Sequence, residues 1–184
     1  MKRFGAMLAA LAVAAILLSS CVNGDGGADG AAWPIQFDTR SLAGEKVTQS
    51  DFAGNKLTVL NVFATWCAPC VRELPELGKV ALEYADKGVQ MVGLLEDGVD
   101  QLKLAANEAV IEQARTLLSG ARADYLVILP DQALWNEFVA GLQYVPTTFF
   151  LDGTGKVVET LIGSRDAAGW SKEIDAVLAR LDNP

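Results

Sequence analysis

The hydrophobic pattern divides the 184-residue chain into three stretches. Behind the basic start Met1-Lys2-Arg3, Phe4 to Leu18 is a continuous run of apolar and small residues. Val22 to Ala32 has no period and consists almost wholly of Gly, Ala, Asp and Asn. From Trp33 onward, short apolar runs alternate with amphipathic ones, separated by Gly and Asp turns. Leu57 to Phe63 and Val89 to Leu95 are too continuously apolar for one-faced strands and predict strands buried inside a sheet. Ile35 to Asp38 and Lys46 to Thr48 predict short strands around the turn Ser41-Leu42-Ala43-Gly44. Leu74, Leu77, Ala81 and Tyr84 give the stretch Val71 to Lys87 a helical stripe; Pro75 should kink it or end its first segment, and Gly88 ends the whole. Leu102 to Leu118 predicts a helix stopped at Gly120, Tyr125 to Leu129 a strand, and Asp131 the cap of a helix through Val139. Thr147 to Leu151 and Lys156 to Ile162 flank Asp152-Gly153-Thr154-Gly155 as a hairpin, and Asp166 to Leu181 closes the chain as an amphipathic helix.

Strands alternating with helices, then a hairpin and a helix, specify a three-layer α/β domain with a mixed sheet over residues 33–184. That length suits one domain with a substantial core. Right-handed crossovers place the turn after Phe63 at the carboxyl end of its strand, where open α/β sheets carry their sites.

The first stretch concerns compartment. Its apolar run falls short of the roughly 20 residues of a membrane span but fits the core of a signal peptide, giving residues 1–20 as the leader. Leu18-Ser19-Ser20-Cys21 resembles the lipobox of bacterial lipoproteins, which implies cleavage before Cys21 and a lipid on it. Residues 21–32 then form a lipidated cysteine and a flexible tether, with a reach of about 18 Å for a Gly-rich coil of that length. Loss of Lys2 and Arg3 with the leader takes the formal charge from -8 to -10. An acidic chain with no basic run argues against nucleic acid and against electrostatic docking to anionic lipid.

The chain has three cysteines and no histidine. With Cys21 taken by lipid, Cys67 and Cys70 are the only thiols of an exported domain, where disulfides persist. They lie in Trp66-Cys67-Ala68-Pro69-Cys70, where a buried strand hands over to a helix, the context of a redox-active dithiol. Helix N-terminal N–H groups favour negative charge, so the first thiol ionises more easily and attacks disulfides as thiolate. The second can resolve the mixed disulfide, and Pro69 suits a first helical turn. A structural bridge would close a tiny loop and stabilise little, and a zinc site would need carboxylates or a second chain to reach four ligands. Neither metal nor cofactor is expected; Val71 after Cys70 and the lack of histidine exclude covalent haem c.

The order strand, Trp-Cys-x-Pro-Cys helix, strand, helix, strand, helix, Val-Pro-Thr, hairpin, helix resembles a thioredoxin-like fold. More narrowly it is similar to the membrane-anchored thiol-disulfide oxidoreductases of the TlpA/ResA/DsbE group, from about Ile35 to the C-terminus. The resemblance implies an N-terminal hairpin, and an inserted helix-strand unit for which residues 102–129 have the right size. It implies that Pro146 in Val145-Pro146-Thr147 is cis and presents the Val145 backbone to a substrate strand beside Cys67. Asn61 stands where cytosolic thioredoxins have a buried aspartate, and Glu73, three residues after Cys70, takes the place of the group's glutamate. A partly buried Glu73 with a raised pKa would then carry the proton of Cys70. Trp66 would shield the site and contact substrate, and Glu96 and Asp97 would line it.

The function expected is extracytoplasmic thiol-disulfide exchange, in the reducing direction, on exported protein disulfides. The resemblance implies cytochrome c maturation or electron supply to an exported reductase, with a CcdA/DsbD-type membrane donor and a monomeric, membrane-tethered protein. A redoxin-type thiol peroxidase and a non-catalytic binding lipoprotein are the alternatives. The first lacks its usual Pro-x-x-x-Thr-x-x-Cys pattern here, and the second needs no dithiol.

Overall fold

The computed structural model describes residues 33–183. The expected leader, the Cys21 lipidation site and the tether therefore lie outside the described residues. Five strands form a mixed sheet in the order β5-β4-β3-β6-β7: β3 (Leu57–Phe63), β4 (Val89–Leu95), β5 (Leu126–Ile128), β6 (Thr147–Asp152) and β7 (Val157–Ile162). The strands β3, β4 and β5 run parallel, and β6 and β7 complete the sheet antiparallel. Every residue of β3 is buried because both of its faces are covered. Leu57 and Val59 meet α1 (Ala68–Tyr84) and α4 (Ala167–Asp182), while Leu60 and Val62 meet the opposite layer around Phe37, Phe52, Leu134 and Phe138. Leu74, Leu77 and Val80 of α1 are fully buried, each contributing about 1.5–3 kcal/mol by loss of apolar surface to water.

The hairpin β1 (Asp38–Arg40) and β2 (Lys46–Thr48) stands apart from the sheet but closes its edge. Leu42 N–H donates to Val127 O and Leu129 N–H to Arg40 O, so the outer rim of β5 is not left open to another chain. The first strand thus begins at Asp38 rather than at Ile35; Ile35 packs against the core beside Trp33 and Phe37.

The helices depart from the sequence pattern in four places. α1 starts at Ala68 and continues past Pro75 to Tyr84, so Pro75 does not end a segment; a short 3-10 turn and Gly88, at φ +76°, close it. Residues from Leu102 do not begin α2, which spans Glu108–Ala121. Asp100 Oδ1 accepts the N–H groups of Leu102 and Lys103, and Val99 bridges Ala106, so the chain folds back before Asn107 caps the helix. Nor does Gly120 stop it: Arg122 takes the left-handed conformation at φ 54° and ends it. Beyond the Asp131 cap, α3 is only Gln132–Leu134 and passes into a π turn over Trp135–Val139. Among the described residues no helix is long and apolar enough to cross a membrane.

Candidate active site

Cys67 is the N-cap of α1, and Cys70 lies in its first turn. The two sulfurs are joined as a disulfide, with the Cα atoms 5.3 Å apart. The Cys70 N–H donates to Cys67 Sγ at 3.2 Å, so one of the unpaired amides of the helix start is spent on the first sulfur. That contact favours Cys67 as thiolate once the bond is opened. Upstream, Asp97 accepts from Thr65 N–H at 3.0 Å and Thr65 hydroxyl at 2.6 Å, pinning the strand-to-helix turn to the end of β4. Asp97 thus reaches the site by holding its loop. Burial and then the Asp97 charge raise the pKa of neighbouring Glu96.

Both cysteines are nearly enclosed, whereas Trp66 leaves 68% of its surface to solvent. Across the site, the Val145–Pro146 bond is cis, and Val145 O lies 3.5 Å from Cys67 Sγ. Thr147 hydroxyl donates to Tyr144 O and Gly163 N–H to Pro146 O, fixing the proline turn between the loop and the β7 end. The structure therefore brings Trp66, Cys67, Cys70, Val145 and Pro146 to one place from two segments nearly 80 residues apart.

Glu73 lies on the inner side of α1 and is 2% exposed. Neither carboxyl oxygen has a hydrogen-bond partner. Burial pushes its pKa up to about 8, while the nearby Trp170 N–H and the Arg165 charge pull it down. Glu73 is therefore protonated at neutral pH in the disulfide form. Asn61, on the β3 face beneath α1, donates from Nδ2 to Thr148 Oγ1 at 2.9 Å and is otherwise sealed. Its amide cannot take a proton in this range. Trp170, Arg165 and Thr65 are not legible in the sequence as site residues; Trp170 reads as an ordinary member of an apolar stripe, and no local signal marks it. Among the described residues no group of His, Cys, Asp and Glu is arranged to hold a metal ion.

The model of the AhpC/TSA family matches residues 31–160. The thiol-disulfide oxidoreductase ResA of Bacillus thuringiensis is 30% identical over 142 residues, covering 75% of this chain and 74% of that one. The thiol:disulfide interchange protein HelX of Rhodobacter capsulatus is 27% identical over 132 residues, covering 72% and 66%. Among solved structures, a thiol:disulfide interchange protein of the thioredoxin family from Chlorobium tepidum superposes with a TM-score of 0.63 at 22% identity, over 80% of this chain and 97% of that one. This last likeness concerns the fold, which is thioredoxin-like.

Proposed function

Because the chain belongs to the AhpC/TSA family, and within it to the TlpA/ResA/DsbE group of thiol-disulfide oxidoreductases, we propose that it reduces disulfides of exported proteins from a lipid-anchored position outside the cytoplasm. The observation that carries this reading is the cap of α1: Cys67 Sγ receives the Cys70 N–H on one side and faces the Val145 carbonyl on the other. An incoming extended chain can pair with the Val145 backbone while its disulfide meets Cys67.

The steps balance as two-electron exchange. Cys67 thiolate attacks one substrate sulfur, forming a mixed disulfide and releasing the other substrate sulfur as a thiolate that takes a proton from solvent. Cys70 then gives its proton to Glu73 and attacks Cys67 Sγ. The Cys67–Cys70 bond forms, the mixed disulfide breaks, and the second substrate thiol leaves with a proton from solvent. In the resulting disulfide form Glu73 is protonated. When a donor reopens the bond by attack on Cys67, that proton passes to the departing Cys70 thiolate. Trp66 offers its exposed ring to the partner, and Pro146 holds the Val145 backbone in place.

A CcdA/DsbD-type membrane protein is the donor we infer, with cytochrome c maturation or an exported reductase as the destination of the electrons and a monomer as the working form. The likeness to ResA and HelX supports an interchange role. Cys21 supplies the anchor, through the lipobox-like Leu18-Ser19-Ser20-Cys21. The experiment is to express Cys70→Ser in a bacterial envelope and resolve membrane fractions without reductant. The expected result is a covalent complex through Cys67 in the membrane fraction, absent in Cys67→Ser/Cys70→Ser and moved to the soluble fraction by Cys21→Ala. Full turnover by Cys70→Ser with no trapped partner overturns the two-step exchange, and peroxide consumption by the wild type at a rate exceeding disulfide reduction favours a thiol peroxidase.

A further inference from the structure

β3 passes to α1 through the turn Ala64-Thr65-Trp66-Cys67, closed by the Cys67 N–H on Ala64 O at 3.2 Å. The turn sends the Trp66 ring into solvent and sets Cys67 at the helix N-cap. Its second residue, Thr65, is 8% exposed, and Asp97 takes both of its donors. Asp97 Oδ2 accepts the Thr65 N–H at 3.0 Å and the Thr65 hydroxyl at 2.6 Å, and Oδ1 shares the same N–H at 3.2 Å.

The carboxylate comes from the short 3-10 turn Glu96–Gly98 at the end of β4. That turn is braced from behind. Gly98 O accepts the N–H of Asn107, the N-cap of α2, at 2.8 Å, and Val99 bridges Ala106. A Cβ on Gly98 would stand 2.5 Å from Leu129 Cδ2 and 2.8 Å from Leu95 Cδ2, so the bare backbone seats closely against the core. The far end of the sheet carries the same device. Asp152 Oδ1 accepts the Thr154 N–H at 2.9 Å and the Thr154 hydroxyl at 2.6 Å in the turn between β6 and β7. Asp152 stands opposite Leu57, where β3 begins, whereas the dithiol follows Phe63, where β3 ends. One clamp shapes a plain hairpin turn, and the other shapes the turn that carries the attacking sulfur.

We propose that Asp97 is a positioning residue for the exchange. Through Thr65 it holds the Ala64–Cys67 turn, so that Cys67 Sγ keeps the Cys70 N–H on one side and the Val145 carbonyl on the other while its bonded sulfur changes from substrate to Cys70. The inference rests on the exchange at Cys67 given above. Its basis is geometric. A carboxylate disfavours a second negative charge near it, so Asp97 gives the Cys67 thiolate no electrostatic help. What it supplies is orientation, and a displacement of about 1 Å can cost about 100-fold in rate.

The test is the second-order rate at which the reduced protein reduces oxidised glutathione, compared across both clamps. Asp97→Ala should slow it by about tenfold or more. Asp97→Asn should restore most of the rate, because one oxygen in the Oδ2 place accepts both Thr65 donors and only the charge is lost. Thr65→Val should also slow exchange, Thr65→Ser should match wild type, and Thr65→Val in an Asp97→Ala background should slow it no further. Asp152→Ala opens the equivalent clamp and should lower the urea midpoint while leaving the rate unchanged. An unaltered rate in Asp97→Ala, or an equal fall in Asp152→Ala, overturns the positioning role. Equal losses in Asp97→Asn and Asp97→Ala overturn its geometric basis. Should Asp97→Ala not fold, equal rates in Thr65→Val and Thr65→Ser overturn the clamp by themselves. Reduction by Cys67→Ser as fast as by wild type instead overturns the exchange at Cys67, whatever the Asp97 variants do.

Discussion

At the scale of single residues, two buried polar groups near α1 behave in opposite ways. Asn61 and Glu73 are both buried, but only Asn61 has a hydrogen-bond partner. Asn61 spends its Nδ2 on Thr148 Oγ1, its direct neighbour across β3 and β6. Its contribution is structural: a buried cross-strand hydrogen bond that leaves a hydroxyl orphaned when removed. Asn61→Ala should lower the unfolding free energy by about 1–3 kcal/mol in urea titrations and leave the pH profile of disulfide exchange unchanged. A moved profile would make Asn61 part of the proton chemistry. Glu73 has the opposite character, with no partner to fix its charge and a pKa poised near the working range by burial.

At the scale of elements, the site depends on how closely α1 approaches its neighbours. The helix is Cys67-capped at one end and packed over β3, β4 and α4, and its middle meets the turn after α2. That turn is shaped by Arg122, held in the left-handed conformation with its N–H on Ser119 O. Gly78→Ala would drive a methyl into Ala123 backbone, which cannot rotate away as a side chain would. The expected cost is about 1–3 kcal/mol of overpacking, measured by chemical denaturation. Amide exchange should quicken in the segment from Ala123 to Leu126 before the rest of the sheet. Unchanged stability and exchange would mean that the two elements move apart freely.

At the scale of the whole molecule, one buried acid links folding to pH. The Glu73 pKa rises from 4.5 in the unfolded chain to about 8 in the fold, so folding takes up a proton between those values. Its contribution is full below pH 4.5, falls as pH rises through the window and levels off above pH 8. The loss is on the order of 4–5 kcal/mol across the window, by the free energy of a pKa shift. Urea unfolding of the disulfide form at a series of pH values should show this decline, and Glu73→Gln should flatten it. Features set by neighbours along the chain are legible in the residues alone. Leu57 to Phe63 and Val89 to Leu95 coincide with β3 and β4 because burial on both faces leaves a continuous apolar run. The Cys-x-x-Cys stands at the start of α1 as its strand-to-helix setting required, and the Asp131 cap marks a helix start. Features set by distant segments emerge only in the packed fold. It set α2 at Glu108 through the Asp100 turn and the Val99–Ala106 bridge, and it carried the helix through Pro75. It also laid Trp170 beside Glu73, from a segment about 100 residues further on. Periodicity records whether a residue is buried. Which groups it is buried against depends on packing between elements, and the proton chemistry of this site is set there.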